Sequence, residues 1–342
     1  MVAALKRSFL LMVASGVLLG QSWVPHASGT TASMRGVSAV SKKVVWASGT
    51  NGTYLQTTDG GATWRVAVVP GAEALDFRDV HGVDDRTAYL LSSGPGDKSR
   101  IYKTTDSGAH WDLQLTNSNP AGFWDAMAFW SSERGIVLGD PVDGKFVILV
   151  TNDGGAHWKY QVGPSALRAE GAFAASGTCL IIRGYHEAWF GTGGPGAARM
   201  FHSGDAGDSW TVSTTPIRKD SASAGIFSIT FSDPMHGVVV GGDYTKPAEA
   251  SHNIAITADG GQTWTEPKGR HPAGFRSAVT SFGDHLTWIA TGPSGSDVSY
   301  DFGKTWKPFD HAGYNAITIL SEFFFSTTGW AVGPKGALAE FH

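Results

Sequence analysis

Six copies of one eight-residue pattern run down this chain, and they limit what it can fold into more than any other feature. They read Thr57-x-Asp59-x-Gly61-x-Thr63-Trp64, Thr104-x-Asp106-x-Gly108-x-His110-Trp111 and Thr151-x-Asp153-x-Gly155-x-His157-Trp158. Three more follow: Ser203-x-Asp205-x-Gly207-x-Ser209-Trp210, Thr257-x-Asp259-x-Gly261-x-Thr263-Trp264 and Ser299-x-Asp301-x-Gly303-x-Thr305-Trp306. Successive aspartates are 47, 47, 52, 54 and 42 residues apart. A period of about 40 to 50 residues marks a repeat architecture in which each unit is one supersecondary element. Locally the pattern describes a tight turn between two strands. A short hydroxyl and an aspartate bond nearby backbone N–H groups, the glycine supplies a positive φ, and the tryptophan opens the next strand and packs on a neighbouring unit.

This pattern resembles the Asp box of the BNR-type β-propellers, which include sialidases, sortilin-like receptors and the photosystem II stability and assembly factors. The resemblance implies an all-β propeller whose boxes sit at hairpins between the third and fourth strands of each blade, away from the axis. On this reading Asp59, Asp106, Asp153, Asp205, Asp259 and Asp301 are structural, with calcium binding as the lesser alternative.

The strands around the boxes give the blade count. In the fifth unit Ile226–Phe231 reads as the inner strand, His236–Gly242 as the second, Asn253–Thr257 as the third, and Thr263–Glu266 as the fourth. After the sixth box, Tyr314–Leu320, Thr328–Gly333 and Ala337–Phe341 make three strands of a seventh blade without its fourth. Gln21-Ser-Trp-Val-Pro25 resembles a strand leaving a box, as in Ser209-Trp-Thr-Val212. The expected fold is therefore a seven-bladed propeller closed by pairing of the N-terminal strand with the C-terminal blade, which removes free edges.

The first twenty residues read as an export signal. Lys6 and Arg7 form a positive start, and Ser8 to Leu19 is an apolar stretch of signal-peptide length, too short for a membrane span. Residues 1–20 are thus expected to be removed, leaving a single domain over 21–342 in the periplasm or the medium, with no integral span after removal and a monomeric state. Cleavage after Gly20 or Ser22 suits the small-residue rule; cleavage after Ala27 would remove the closing strand. With 45 glycines, 13 tryptophans and only 16% charged residues, the composition fits short strands, tight turns and aromatic packing. A net charge of −4 gives no electrostatic footprint for nucleic acid. The single cysteine, Cys179, cannot form an internal disulfide and reads as a small buried residue of an apolar strand.

Candidate functional residues come from aligning the starts of the inner strands: Arg35-Gly-Val, Arg78-Asp-Val, Asp125-Ala-Met, Glu170-Gly-Ala, Phe227-Ser-Ile, Arg276-Ser-Ala and Asn315-Ala-Ile. Six of the seven put a polar or charged residue at one level, in a chain poor in charge. Equivalent positions in a ring of blades converge on the axis. Two readings stay open. The arginines and acids pair with each other, as buried charges must; or Arg35, Arg78 and Arg276 form an anion site, since guanidinium binds carboxylate bidentately. In the second case Glu170 and Asp125 are acid/base candidates, with Tyr185 as an added candidate if the chain is an enzyme. Tyr185-His186-Glu187 is placed near the mouth beside Glu170, and the loops at Asp140–Gly144 and Gly241–Tyr244 are of the kind that rim pockets.

Other motifs drop out. Gly191-x-Gly193-x-x-Gly196 matches a dinucleotide fingerprint but lacks the strand–turn–helix context. No His-Glu-x-x-His spacing occurs and no metal site is visible. The stretch around Ser294 is only a broken nucleophile elbow. No cofactor is implied.

The six boxes, with segments such as Val45–Gly49, Gly329–Gly333 and Glu170–Gly177, are most similar to the photosystem II stability/assembly factor family. That resemblance implies an exported, seven-bladed, non-catalytic assembly factor with an arginine patch that contacts a partner, for which Arg35, Arg78 and Arg276 are the candidates. The expected ligand is a protein partner or an anionic glycan. The alternative is a sialidase-like glycosidase or a polysaccharide lyase acting on acidic glycans. Arg35-Gly-Val and Arg78-Asp-Val stand where a sialidase would carry Arg-Ile-Pro.

Overall fold

The computed structural model describes residues 22–282, 285–322 and 326–342; the expected export signal at 1–20 lies outside them. The described residues form seven antiparallel sheets arranged as the blades of a propeller. Blade 1 consists, from axis to rim, of Met34–Ala39, Val45–Gly49, Thr53–Thr57 and Arg65–Val68. Blade 2 repeats this order with Phe77–Gly82, Ala88–Ser92, Arg100–Thr104 and Asp112–Thr116, and blade 3 with Trp124–Phe129, Gly135–Val142, Lys145–Thr151 and Lys159–Gln161. Blade 4 is Leu180–Arg183, Glu187–Gly191, Arg199–Ser203 and Thr211–Thr214, and blade 6 is Ala278–Ser281, Trp288–Gly292, Gly295–Ser299 and Lys307–Asp310.

Burial explains the sequence texture of these strands. The middle strands are covered on both faces by neighbouring blades: every residue of Val45–Gly49, Thr53–Thr57 and Gly237–Asp243 is buried, polar Ser48, Thr53, Gln56, Thr57 and Asp243 included. The outermost strands face solvent and carry polar residues, as in Lys159–Gln161 and Thr211–Thr214. Strands buried on two faces lose the alternation seen in half-buried ones.

Closure follows the expected scheme. Blade 7 is Ala316–Glu322, Ser326–Val332 and Leu338–Phe341, and its fourth strand is Trp23–Pro25 from the other end of the chain. Trp23 pairs with Phe341, Val24 with Glu340 and Pro25 with Ala339. Pro25 has no N–H to donate, which is tolerated because it lies on the outermost strand.

Blade 5 departs from expectation. It has three strands, Ala224–Phe231, Gly237–Asp243 and Ile254–Thr257. The expected fourth, Thr263–Glu266, is reduced to one bridge between Ile256 and Thr265. Pro267 follows at once, and a proline cannot supply the next ladder hydrogen bond.

The six turns share one hydrogen-bond pattern. At the first, Gly61 N–H and Asp59 N–H both point at Thr57 Oγ1 (2.9 and 3.4 Å), Thr57 Oγ1 donates to Asp59 Oδ1 (2.8 Å), and Thr63 N–H donates to the same oxygen (2.9 Å). The carboxylate thus ties both ends of the turn. Bonds from the Thr63 hydroxyl and N–H hold Asp59 down at about 2; the His110 N–H and ring do the same for Asp106. The glycine is required twice over. Gly61 has φ 87°, and a Cβ there would lie 2.2 Å from the Trp330 ring of the preceding blade. Trp64 in turn meets Trp330 edge-on at 4.9 Å. The turn therefore positions one blade on the next as well as closing a hairpin.

Candidate functional site

The inner strands begin with a shared irregularity. The ladder slips by one residue between Met34 and Gly36, Phe77 and Asp79, Trp124 and Ala126, and Ile226 and Ser228. The residue skipped in each case is Arg35, Arg78, Asp125 or Phe227. A bulge turns its extra residue out of the ladder and re-aims the side chain. Here it aims toward the axis: all four line one cavity of about 460 Å³, with Ser277 and Asn315 from blades 6 and 7.

Two members of the sequence-derived ring are misplaced. In blade 6, Ala278 pairs with Thr291 as Gly36 pairs with Ser48, so Ser277 and not Arg276 occupies the ring level. Arg276 is 1% exposed and locked inside blade 6. Its Nε donates to Asp297 Oδ2 at 2.7 Å, Nη2 donates to the same oxygen, and Nη1 donates to Phe275 O and Ser294 Oγ, each at 2.9 Å. In blade 4 the inner strand starts at Leu180, and Gly191 N–H bonds Cys179 O. Thr178 takes the ring level, eight positions beyond Glu170. Glu170 is buried and committed to Arg199 through Nε at 2.8 Å and a closer Nη2 contact, and it also accepts from Thr192 Oγ1 and Leu167 N–H.

Tyr185 and His186 also lie elsewhere. They sit in the turn between Leu180–Arg183 and Glu187–Gly191, at the end of blade 4 away from the inner-strand starts. Tyr185 is 84% exposed. Glu170, Asp125 and Tyr185 are therefore not brought together.

The residues displaced from the expected fourth inner strand do something else. Segment 171–177 crosses the channel as a plug. Ala172 N–H bonds Asp140 in blade 3 (2.9 Å), Ala174 O accepts from Arg78 Nη1 in blade 2 (3.2 Å), and Ser176 Oγ donates to Ser277 O in blade 6 (2.9 Å). Phe173 stacks on Phe227 of blade 5 with centroids 4.0 Å apart. Sequence reasoning missed this segment; its only trace is the longer spacing, 52 against 47, between the third and fourth boxes.

The cavity above the plug has three unlike walls. On blades 1 and 2, Arg78 Nε donates to Asp76 at 2.8 Å, while Arg35 Nε stands 3.8 Å from the other oxygen of that carboxylate. Asp76 was not among the sequence candidates. Burial lowers the Arg35 pKa, with Asp76 opposing and Arg78 reinforcing that shift. On blade 3 stand Asp125 and Asp140. Burial, then the charge of Asp140, push Asp125 well above the usual carboxylate range against the pull of Arg78. Burial raises Asp140 to about 6 against its bond from Ala172 N–H. The third wall is aromatic: Phe173, Phe227, Phe275 and Tyr244. Phe227 meets Phe275 at 4.6 Å and Tyr244 at 6.1 Å, both edge-on.

Cys179 is buried nearby, and burial raises its thiol pKa. Among the described residues no group of three or more His, Cys, Asp or Glu side chains is placed to hold a metal ion, and no helix is long and apolar enough to cross a membrane.

The chain is a β-propeller similar to YCF48. It superposes on YCF48 bound to D1 peptide with a TM-score of 0.64 at 17% identity, covering 93% of this chain and 96% of that one. YCF48 from Cyanidioschyzon merolae gives 0.63 at 19% identity, covering 94% and 99%. A GH74 enzyme from Niastella koreensis gives 0.61 at 16% identity, covering 92% of this chain and 53% of the other. Identities this low speak for the fold alone. No family model matches the chain. An uncharacterized membrane glycoprotein of Saccharomyces cerevisiae, YNR065C, is 38% identical over 85 residues, a stretch that is 23% of this chain and 7% of that protein.

Proposed function

We propose that this protein is an exported, non-catalytic propeller that holds an acidic segment of a partner protein at the channel mouth, with Arg35 and Arg78 as the anion-binding residues. The observation that carries this reading is the arginine wall. Two guanidiniums from adjacent blades share one carboxylate, Asp76, which leaves positive charge facing a cavity large enough for one or two side chains. Guanidinium is suited to carboxylate in such a setting. The similarity to YCF48 bound to D1 peptide supports a protein ligand over a glycan. Against an enzyme of the glycosidase type, Glu170 is consumed by Arg199 and Tyr185 stands in a distant turn.

Two assays on the purified protein test the proposal. Binding of free-carboxylate peptides should fall by tenfold or more in Arg78→Ala, the loss typical of a charged hydrogen bond. A screen against sialosides and acidic glycans should give no product. Product release that disappears in Asp125→Asn would overturn the reading. Export is tested by the N-terminal sequence of the secreted protein, expected to begin just before Trp23.

A further inference from the structure

We infer that the blade 3 wall of the same cavity is a cation subsite, so that the bound segment carries a lysine or arginine side chain as well as the acidic group assigned to Arg35 and Arg78. The inference rests on the binding reading above and goes beyond it in naming a second charge on the ligand.

Three observations converge on it. Asp125 is 1% exposed, lines the cavity, and its Oδ2 makes no hydrogen bond among the described residues. A buried carboxylate oxygen without a partner is costly unless a ligand or a proton satisfies it. Asp140 stands beside it, close enough for its charge to act on Asp125, and is the less buried of the two. The same cavity is lined by the aromatic shelf of Phe173, Phe227, Tyr244 and Phe275, a surface of the kind that attracts a cation. The groove continues outward. Asp140, Ala172 and Phe173 also border a second cavity of about 610 Å³, which runs past Gly144, Gly171, Gly193 and Gly194. Glycines there let an extended backbone approach closely.

The charge balance gives the inference a second signature. The groups around Asp125 and Asp140 are Asp76, Arg78 and Asp79 of blade 2 and Cys179 of blade 4, with Arg35 on blade 1. Burial, then the Asp140 charge, favour a shared proton on the pair and outweigh Arg78 and a hydrogen bond from the Asp140 backbone, which oppose protonation of Asp125. A ligand cation seated there takes the proton's place, and the proton passes to buffer.

The experiment uses purified protein and N-acetylated alanine hexapeptides with a free C-terminal carboxylate, one lysine being moved through the internal positions. Matched sets carry norleucine for lysine, or a C-terminal amide. The best lysine peptide should bind about tenfold or more tightly than its norleucine partner. Asp140→Asn should abolish that preference; its amide oxygen can still accept from Ala172 N–H. Asp125→Asn serves as a second variant should Asp140→Asn melt early. Calorimetry in Tris and in phosphate should give different heats, reporting proton release. Equal binding of lysine and norleucine peptides overturns the cation subsite while leaving the arginine wall intact. Equal binding of acid and amide with lysine preference kept overturns the arginine wall alone. No binding by any peptide overturns both.

Discussion

Trp23 lies opposite Phe341 in the ladder that joins the two ends of the chain, and their rings meet edge-on with centroids 5.2 Å apart. Trp23 is only 4% exposed; it also reaches Tyr314 at 5.7 Å and donates its Nε1 hydrogen to Ser296 Oγ in blade 6 at 3.1 Å. One residue near the N-terminus thus ties blade 7 to its own last strand and to its neighbour. Trp23→Ala should cost about 3–5 kcal/mol, as for other buried tryptophans, read as a lower urea midpoint. Truncation through Ala27 should be at least as damaging because it also exposes the edge of Leu338–Phe341.

Arg276 presents a different case. The pair it forms with Asp297 is essentially sealed from solvent, with side-chain exposures of 1% and 0%. Breaking a buried pair leaves one charge without compensation, at a cost of about 3–5 kcal/mol. Arg276→Met should therefore lower stability by roughly that amount in chemical denaturation. Replacing both residues, Arg276→Met with Asp297→Leu, should recover a large part of the loss. If Arg276 instead reached the ligand, the single variant would lose peptide binding at unchanged stability.

The two arginine positions show where the sequence was legible and where it was not. The six turns and the unfinished seventh blade could be read because each box carries its own local chemistry: a hydroxyl, a carboxylate and a glycine within five residues. The ring level could be read for Arg35, Arg78, Asp125 and Asn315 because a bulge follows the same strand start in most blades. It failed at Arg276 because Arg276-Ser277-Ala278 fits the polar-then-small pattern in two registers one residue apart. It failed at Glu170 because Gly171–Gly177 is small and apolar enough to imitate an inner strand. What makes it a plug is a set of contacts with Arg78, Asp140, Phe227 and Ser277, each far away in the chain. Asp76 was missed because it lies just before the inner strand of blade 2: Arg78 reaches it from two residues on, but Arg35 meets it only after blades 1 and 2 have packed.

The turns make a local prediction. Gly108 has φ 77°, and a Cβ there would sit 2.6 Å from Tyr54 Oη of the preceding blade. Tyr54 Oη donates to Gly108 O at 2.6 Å. Gly108→Ala combines about 1–2 kcal/mol of backbone strain with loss of that hydrogen bond, worth about 1 kcal/mol. Tyr54→Phe alone should cost about 1 kcal/mol. In the Gly108→Ala background it should cost distinctly less, since the two changes act on one contact. Additive losses in urea unfolding would show that the aromatic and the turn are independent.

Stability should fall as pH rises from about 4 to 7, and Asp79 is the main reason. Its carboxyl is buried beneath the plug, accepting Val80 N–H and Met127 N–H at 2.8 Å each. Burial nevertheless raises its pKa to about 7 against those bonds. Between the unfolded value near 4 and 7 the native state binds more protons than the unfolded chain, so the slope of stability with pH is negative. Asp140, raised to about 6, acts in the same direction over a narrower window, and Asp125, pushed well above the usual carboxylate range by burial, also acts in that direction. His81 opposes them: burial lowers it to about 4, so between 4 and 6.5 the unfolded chain gains its proton first and stability rises with pH. The turn aspartates Asp59, Asp106 and Asp153, held at about 2, lose their contribution only below pH 4. The carboxyls outnumber the one histidine, so the net slope from 4.5 to 7.5 is negative. Asp79→Asn removes one titrating group while keeping a polar acceptor in place. It should flatten the slope by an amount on the order of a few kcal/mol across the window. Urea unfolding of both proteins at pH 4.5, 6 and 7.5 measures this directly. A wild-type curve parallel to that of the variant would place the Asp79 pKa near its ordinary value.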